Sequence, residues 1–275
     1  MKSIFLLSIL SLSLTFTTSA GFFDFFEFGE DDPWSGILRK NKGRSSAQDD
    51  NLQEFIDLRD QASDNSPQAI VHRLDFTQDF NESAKDVLES LGFEVPSFFV
   101  SDIDARFSEK GLVVGSKNRG YYGLRSSAIR NFPVALGKNP KRITRLKLEW
   151  GIEQYPRKEN WNKKKKRRNS IAVVISFGPK TSEGSPYFIG FVLAKTGTVG
   201  QYYIPSRFKR VGRYTIVAKP VEGKVWTSYL ELKKHFTRAF GANIAYPGVS
   251  GVGIEVDTRG MTGVGFLSTL ELSSD

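Results

Sequence analysis

The sequence has no cysteine, two methionines and only two histidines, His72 and His235, among 275 residues. Each scarcity removes a class of chemistry. Without thiols there is no disulfide scaffold, no cysteine nucleophile and no thiolate zinc site. Two imidazoles are too few for a three-histidine metal centre. No uninterrupted apolar run reaches the roughly 18 residues of a membrane-spanning helix. Glycine is plentiful at 25 residues, but those at 248–253 and 260–265 flank strand-like runs, where turns account for them. No catalytic motif, metal-ligand set or cofactor-binding loop is therefore read from the sequence. His72, in an alternating run, and His235, between Lys234 and Phe236, have no nucleophile beside them and are read as structural.

The chain opens as an export address. Lys2 supplies a positive charge, residues 4–16 are apolar with interspersed serines, and Thr17, Thr18, Ser19 and Ala20 are small. That order is a secretory signal peptide over residues 1–20, with cleavage expected after Ala20. No cysteine follows, so a bacterial lipid anchor is not expected. The mature protein is expected to be secreted, either periplasmic or extracellular.

Charge divides the rest of the chain in two. Residues 21–69 hold eleven acidic residues and five basic ones, a balance of −6, whereas residues 70–275 hold 33 basic and 19 acidic, a balance of +14. The pattern changes at the same place, so the domain boundary is set near Pro67. In the acidic segment, residues 22–28 mix phenylalanines with acids and offer a docking motif for a protein partner. Residues 49–62 read as a helix, with Asp49 or Asp50 as cap and Leu52, Phe55, Ile56 and Arg59 at helical spacing. Such a helix either lies on the basic domain by charge attraction or extends as a solvated linker.

From residue 70 onward short apolar runs alternate with turn residues. Leu146, Leu148, Trp150 and Ile152 interleave with Lys147, Glu149, Gly151 and Glu153, giving one dry and one wet face. Residues 187–193 are apolar on both faces and read as a central strand. Two helices interrupt the strands: residues 81–91, capped by Asn81 or Ser83, and residues 231–240, stopped by Gly241. Trp150, Trp226 and Phe240 are expected in the core. Strands in series without regular intervening helices exclude a parallel α/β sheet. The expected fold of residues 70–275 is a mainly β, antiparallel β-sandwich of jelly-roll or lectin-like type with two short helices.

Several stretches occur in a telling order. Residues 146–150 (LKLEW) precede the strand 171–177 (IAVVISF), then 189–192 (IGFV) and 214–218 (YTIVA). Trp226 precedes a helix ending in 236–241 (FTRAFG), and the chain closes through 251–263 (GVGIEVDTRGMTG). Over about residues 70–272 this order resembles a bacterial secreted family known as domain of unknown function 3047. The resemblance implies a β-sandwich and brings no established activity. It also implies carboxylates where this chain has the basic run 163–168 and His235, so the family's acidic positions are largely missing here.

Two carboxylate pairs, Asp102 with Asp104 and Glu149 with Glu153, are candidates for glycoside hydrolysis, but a solvated sheet face with Lys147 as counter-charge is the better reading of them. The feature that stands out is Trp161, Asn162, Lys163, Lys164, Lys165, Lys166, Arg167 and Arg168. Six like charges in a loop repel one another, so an extended, wet loop is expected. Such a patch seeks anions: acidic glycan, lipopolysaccharide or another polyanion. Trp161 is expected to add a stacking face, with Tyr121, Tyr122 and Arg125 on the same surface. The leading expectation is an exported, non-catalytic binding module for a carbohydrate or anionic envelope polymer. The alternatives are a glycan-active hydrolase or lyase on the same fold and an envelope factor that docks protein through residues 22–28.

Overall fold

All four apolar side chains of the alternating run, Leu146, Leu148, Trp150 and Ile152, are buried along β5 (Ile143–Gln154). In the computed structural model, which describes residues 70–93, 95, 103–116, 127–132, 143–206, 208–258 and 261–274, β5 belongs to the first of two six-stranded sheets. Its neighbours are β10 (Val225–Glu231) on one side and β12 (Val264–Ser274) on the other. Beyond β12 come β3 (Gly111–Ser116) and β2 (Ile103–Ser108). β1 (Ile70–Asp75) pairs with the second half of β12, from Thr269 to Ser273. Every pairing in this sheet is antiparallel.

The second sheet runs β4 (Ser127–Phe132), β11 (Val249–Asp257), β6 (Asn169–Phe177), β7 (Tyr187–Leu193), β9 (Gly212–Ala218) and β8 (Tyr202–Tyr203). One pair departs from the antiparallel pattern: β7 and β9 run parallel. The chain leaves β7, makes the short β8, and re-enters beside β7 in the same direction. The inner rows of both sheets meet in one core, Leu148, Trp150, Leu267 and Leu270 from the first and Val173, Ile175, Phe191 and Ile254 from the second. The expected β-sandwich is the fold.

Two helices close the sandwich. Ser83 caps α1 (Ala84–Ser90), its Oγ accepting the Asp86 N–H at 3.2 Å, and Val87 and Leu88 are buried. α2 (Leu232–Phe240) follows β10 without a loop and ends at Gly241, whose φ of 100° suits glycine. Phe236 is its anchor, with ring centroids 5.2 Å from Phe177, 5.6 Å from Tyr187 and 5.6 Å from Tyr246.

The structure corrects one core expectation. Trp150 is fully buried, and its Nε1–H donates to Ser228 Oγ at 3.0 Å. Phe240 is half-buried. Trp226 lies directly opposite Trp150 on the inward row, yet it is 38% exposed. The reason is its strand: β10 is the last in the sheet, so the outer flank of Trp226 has no neighbouring strand among the described residues. Residues 22–28 and 49–62 lie outside the described residues. Among the described residues, no helix is long and apolar enough to cross a membrane.

The different burial of the two helix phenylalanines sets a measurable contrast. Phe236→Ala should lower stability by about 3–5 kcal/mol, whereas Phe240→Ala should cost about half of that. Urea unfolding of the two variants checks it, and equal losses would mean that Phe240 carries as much of the core as Phe236.

Candidate functional site

β6 is buried along its whole length, on both faces. One face meets the first sheet. The other must be covered too, because Ala172 on β6, Val192 on β7 and Ile216 on β9 point away from the sandwich and are fully buried. The cover is the connection from β5 to β6, residues 155–168, which holds the basic run.

Trp161 is the plug. It is 3% exposed and packs with Ala172, Val192, Ala194, Tyr203 and Ile216. Its ring stands edge-on to Tyr203 at 5.3 Å. Gly197, at φ 90°, makes room for it: a Cβ there would come within 2.7 Å of the Trp161 Cβ. The Trp161 backbone N–H donates to Thr196 Oγ1 at 3.0 Å, and its Nε1–H donates to the Arg168 carbonyl at 2.9 Å. Glu159 fastens the same segment. Its Oε1 accepts the N–H groups of Lys195 and Thr196 and the Thr196 hydroxyl, at 2.9, 3.0 and 3.1 Å. Burial pushes its carboxyl above the ordinary range, and these donors work against that shift.

Above this anchor the chain folds into a turn. Lys164–Lys166 form one turn of 3-10 helix. The Lys166 N–H donates to the Lys163 carbonyl at 2.7 Å, the Lys163 N–H to the Asn160 carbonyl at 3.0 Å, and the Asn160 N–H to the Lys166 carbonyl at 2.8 Å. The expected extended loop is therefore a compact, internally bonded turn, because backbone bonds outweigh the repulsion of side chains that point outward into water.

The six basic residues divide into two groups. Lys163, Lys164, Lys165 and Lys166 are exposed, and no ion pair involves them among the described residues. Arg167 and Arg168 are partly buried and turned to internal use. The Arg167 guanidinium lies 4.7 Å over the Tyr203 ring, and donates to the carbonyls of Trp161 at 3.2 Å and Ile204 at 3.0 Å. Arg168 donates to the carbonyls of Arg167 at 2.6 Å and Lys165 at 2.9 Å. These two hold the turn; the four lysines face outward from it.

This arrangement revises the expected site. Trp161 presents no open ring face, so it is not a stacking platform; a ring that plugs an apolar sheet face is removed from solvent. Arg167 and Arg168 are structural. Tyr121, Tyr122 and Arg125 lie outside the described residues. The candidate carboxylate pairs have basic partners: Glu149 with Lys147 at 2.9 Å, Glu153 with Lys110 at 2.6 Å, and Asp104 with Arg106 at 3.1 Å. Asp102 falls outside the described residues. His235 is buried; its Nδ1 shares a 2.7 Å hydrogen bond with the Tyr202 hydroxyl, and its ring stands edge-on to Phe191 at 5.1 Å.

The sequence reading did not anticipate one polar group on the same outer face. Glu255 on β11 is 2% exposed. It accepts the Tyr214 hydroxyl at 2.6 Å and Asn169 Nδ2 at 2.9 Å, tying β9, β6 and β11 together. Its partners lie on other strands, so no local pattern in the sequence marks it.

No protein-family profile matches the chain, and neither does any curated protein. Among solved structures, the chain is similar to the apo form of BiXyn10A CBM1, at 8% identity and a TM-score of 0.31, over 75% of this chain and 99% of that one. It is also similar to an agarase, AgWH50C, at 9% identity and a TM-score of 0.32, over 76% of this chain and 25% of that one.

Trp161→Ala should destabilise the domain by about 3–5 kcal/mol, as for other buried aromatics, and should expose the lysine turn to trypsin. Unfolding curves and limited digestion read both effects, and an unchanged protein would mean that the turn stands without its plug.

His235 gives a pH dependence. Burial, helped by the nearby positive charge of Arg238, pushes its imidazole down to about 4 from 6.5. The unfolded chain takes up this proton as pH falls through 6.5, whereas the folded one does so only near 4, so stability falls over that window. The loss should reach about 3 kcal/mol between pH 7 and pH 4. His235→Phe should flatten that part of the stability–pH curve, and a slope equal to wild type would assign it to other groups.

Proposed function

We propose that this protein is an exported, non-catalytic binding module that holds an anionic polymer, such as an acidic glycan or lipopolysaccharide, on the lysine turn. The observation that carries the reading is the four exposed lysines at Lys163–Lys166, raised on a turn whose shape is fixed from below by Trp161, Arg167 and Glu159. The nearest acid in sequence, Glu159, is turned inward onto Lys195 and Thr196 and leaves the lysines to solvent. Four like charges on one short turn raise the local concentration of a polyanion. Because the backbone is already ordered, binding immobilises little beyond lysine side chains. An ammonium is a point charge without directional demand, which suits a polymer whose acidic groups are irregularly spaced. The signal-like first twenty residues support a place outside the cytoplasm. The family resemblance brings no activity with it, so the reading rests on this surface.

Affinity for heparin, lipopolysaccharide and a neutral glucan, measured at several salt concentrations, tests the proposal. On duplex DNA each neutralised phosphate contributes about −0.9 to the slope of log affinity against log salt. Acidic glycans carry less charge per length, so a smaller slope per contact is expected. Replacing Lys163, Lys164, Lys165 and Lys166 together by Ser should remove most of the slope and leave the thermal midpoint in place. Equal binding by wild type and the four-Ser variant, or equal affinity for the neutral glucan, would sink the reading.

A further inference from the structure

A sheet ends in strands whose outer backbone groups lack partners, and proteins blunt such ends with charge, brevity or a bulge. Among the described strands, this sandwich blunts all ends but one. β8 is two residues long. β4 pairs with β11 through a register shift between Val252 and Ile254. β2 carries Asp104 and Arg106, joined as an exposed ion pair at 3.1 Å. β1 carries Arg73 and Asp75.

β10 has none of these devices. Its register against β5 runs unbroken from Val225 opposite Gly151 to Glu231 opposite Arg145. Residues 225–230 read V-W-T-S-Y-L, without a charge, proline or glycine. The strand is also open: Tyr229 is 66% exposed, Val225 55% and Trp226 38%. A seven-residue, β-prone terminal strand with no charge before its last residue is a template for another strand.

We infer that β10 pairs antiparallel with β10 of a second copy of this chain, joining the two first sheets into one twelve-stranded sheet. Three observations favour a second copy as the occupant. First, Lys224 lies just before the strand and Glu231 ends it. Antiparallel self-pairing therefore brings the lysine end of one copy to the glutamate end of the other, twice. Second, nothing charged lies between these ends, so a two-fold axis sets no like charges opposite one another. Third, the pairing centred on Ser228 is complementary in both faces and sizes. The two-fold axis stands perpendicular to the sheet, so inward residues meet inward residues. Trp226 then lies opposite Leu230 of the partner subunit, and Thr227 opposite Tyr229 of the partner subunit. The open flank of Trp226 gains the neighbour it lacks, and large residues face smaller ones. Among the described strands each copy has one such edge, so the contact closes as a dimer and does not propagate.

Sedimentation velocity of the full chain at about 1 to 100 µM, the range for a small interface, reads the assembly directly. The expected result is a monomer–dimer equilibrium that does not change with the four-Ser variant of the lysine turn. Thr227→Lys with Tyr229→Lys places lysines opposite lysines and should give a monomer throughout. Thr227→Lys with Tyr229→Glu places each lysine opposite a partner glutamate and should restore the dimer. Both positions are exposed; within one copy residue 229 stands opposite Lys147, so the Lys/Lys variant should show a small drop in the thermal midpoint of dilute protein and the Lys/Glu variant none. A wild-type protein that is monomeric throughout overturns the inference, and so does a dimer that survives the Lys/Lys exchange. A monomeric Lys/Glu protein overturns the register. These outcomes are independent of polyanion binding, so either proposal can fail while the other stands.

Discussion

The second sheet must be dry on both faces, and most of the surface chemistry follows from that. β6 and β7 present apolar side chains to the sandwich core and away from it. The inner face is covered by β5 and β12. The outer face needs its own lid, and the β5–β6 connection supplies one by inserting Trp161. Once that ring is seated, the chain on either side is held within a short span: Glu159 bonds down to Lys195 and Thr196, and Arg167 lies on Tyr203. The only direction left for residues 163–166 is outward. Lysines that would otherwise move freely are thus presented at a fixed place by a packing requirement beneath them. Burial of one indole, about 2–3 kcal/mol of transfer free energy, exceeds the repulsion among four hydrated ammonium groups in salt.

Much of this architecture was legible in the chain because strand faces announce themselves locally. The alternation along residues 146–153 marked one wet and one dry face, and the unbroken apolar run 187–193 marked a strand covered on both sides. Ser83 and Gly241 marked a helix start and stop. What was not legible depends on which strand lies beside which. Trp150 and Trp226 look alike in sequence, and their different exposure follows only from β5 being internal and β10 terminal. The parallel pairing of β7 with β9 likewise depends on where β8 turns back.

The basic run shows a different kind of limit. Treated as six equal charges, it read as a wet, extended loop. The change from lysine to arginine at residue 167 was the signal that distinguished the two groups. A planar guanidinium with several donors can lie on a tyrosine ring and satisfy carbonyls, which an ammonium cannot do as well. Trp161 gave no periodic clue, since a single indole among polar neighbours reads the same whether it plugs a sheet or faces solvent. Gly197, which makes room for that indole, comes from a distant turn, and so long a separation leaves no local pattern. Glu255 was hidden for a related reason, because its partners Tyr214 and Asn169 come from other strands.

The pairing of β12 has a consequence for the order of assembly. This strand comes after every other described strand in sequence, and it bonds to β5 along one edge and to β3 and then β1 along the other. Until it arrives, β1 and β3 have no partner that joins them to β5, and the first sheet cannot close. Because β1, β3 and β5 all precede β12 in sequence, their edges stay open to solvent until that strand is in place. High contact order of this sort slows folding and lengthens the time during which the chain stays open. Closure of the first sheet is thereby tied to one strand, and whatever delays β12 leaves β1, β3 and β5 open together.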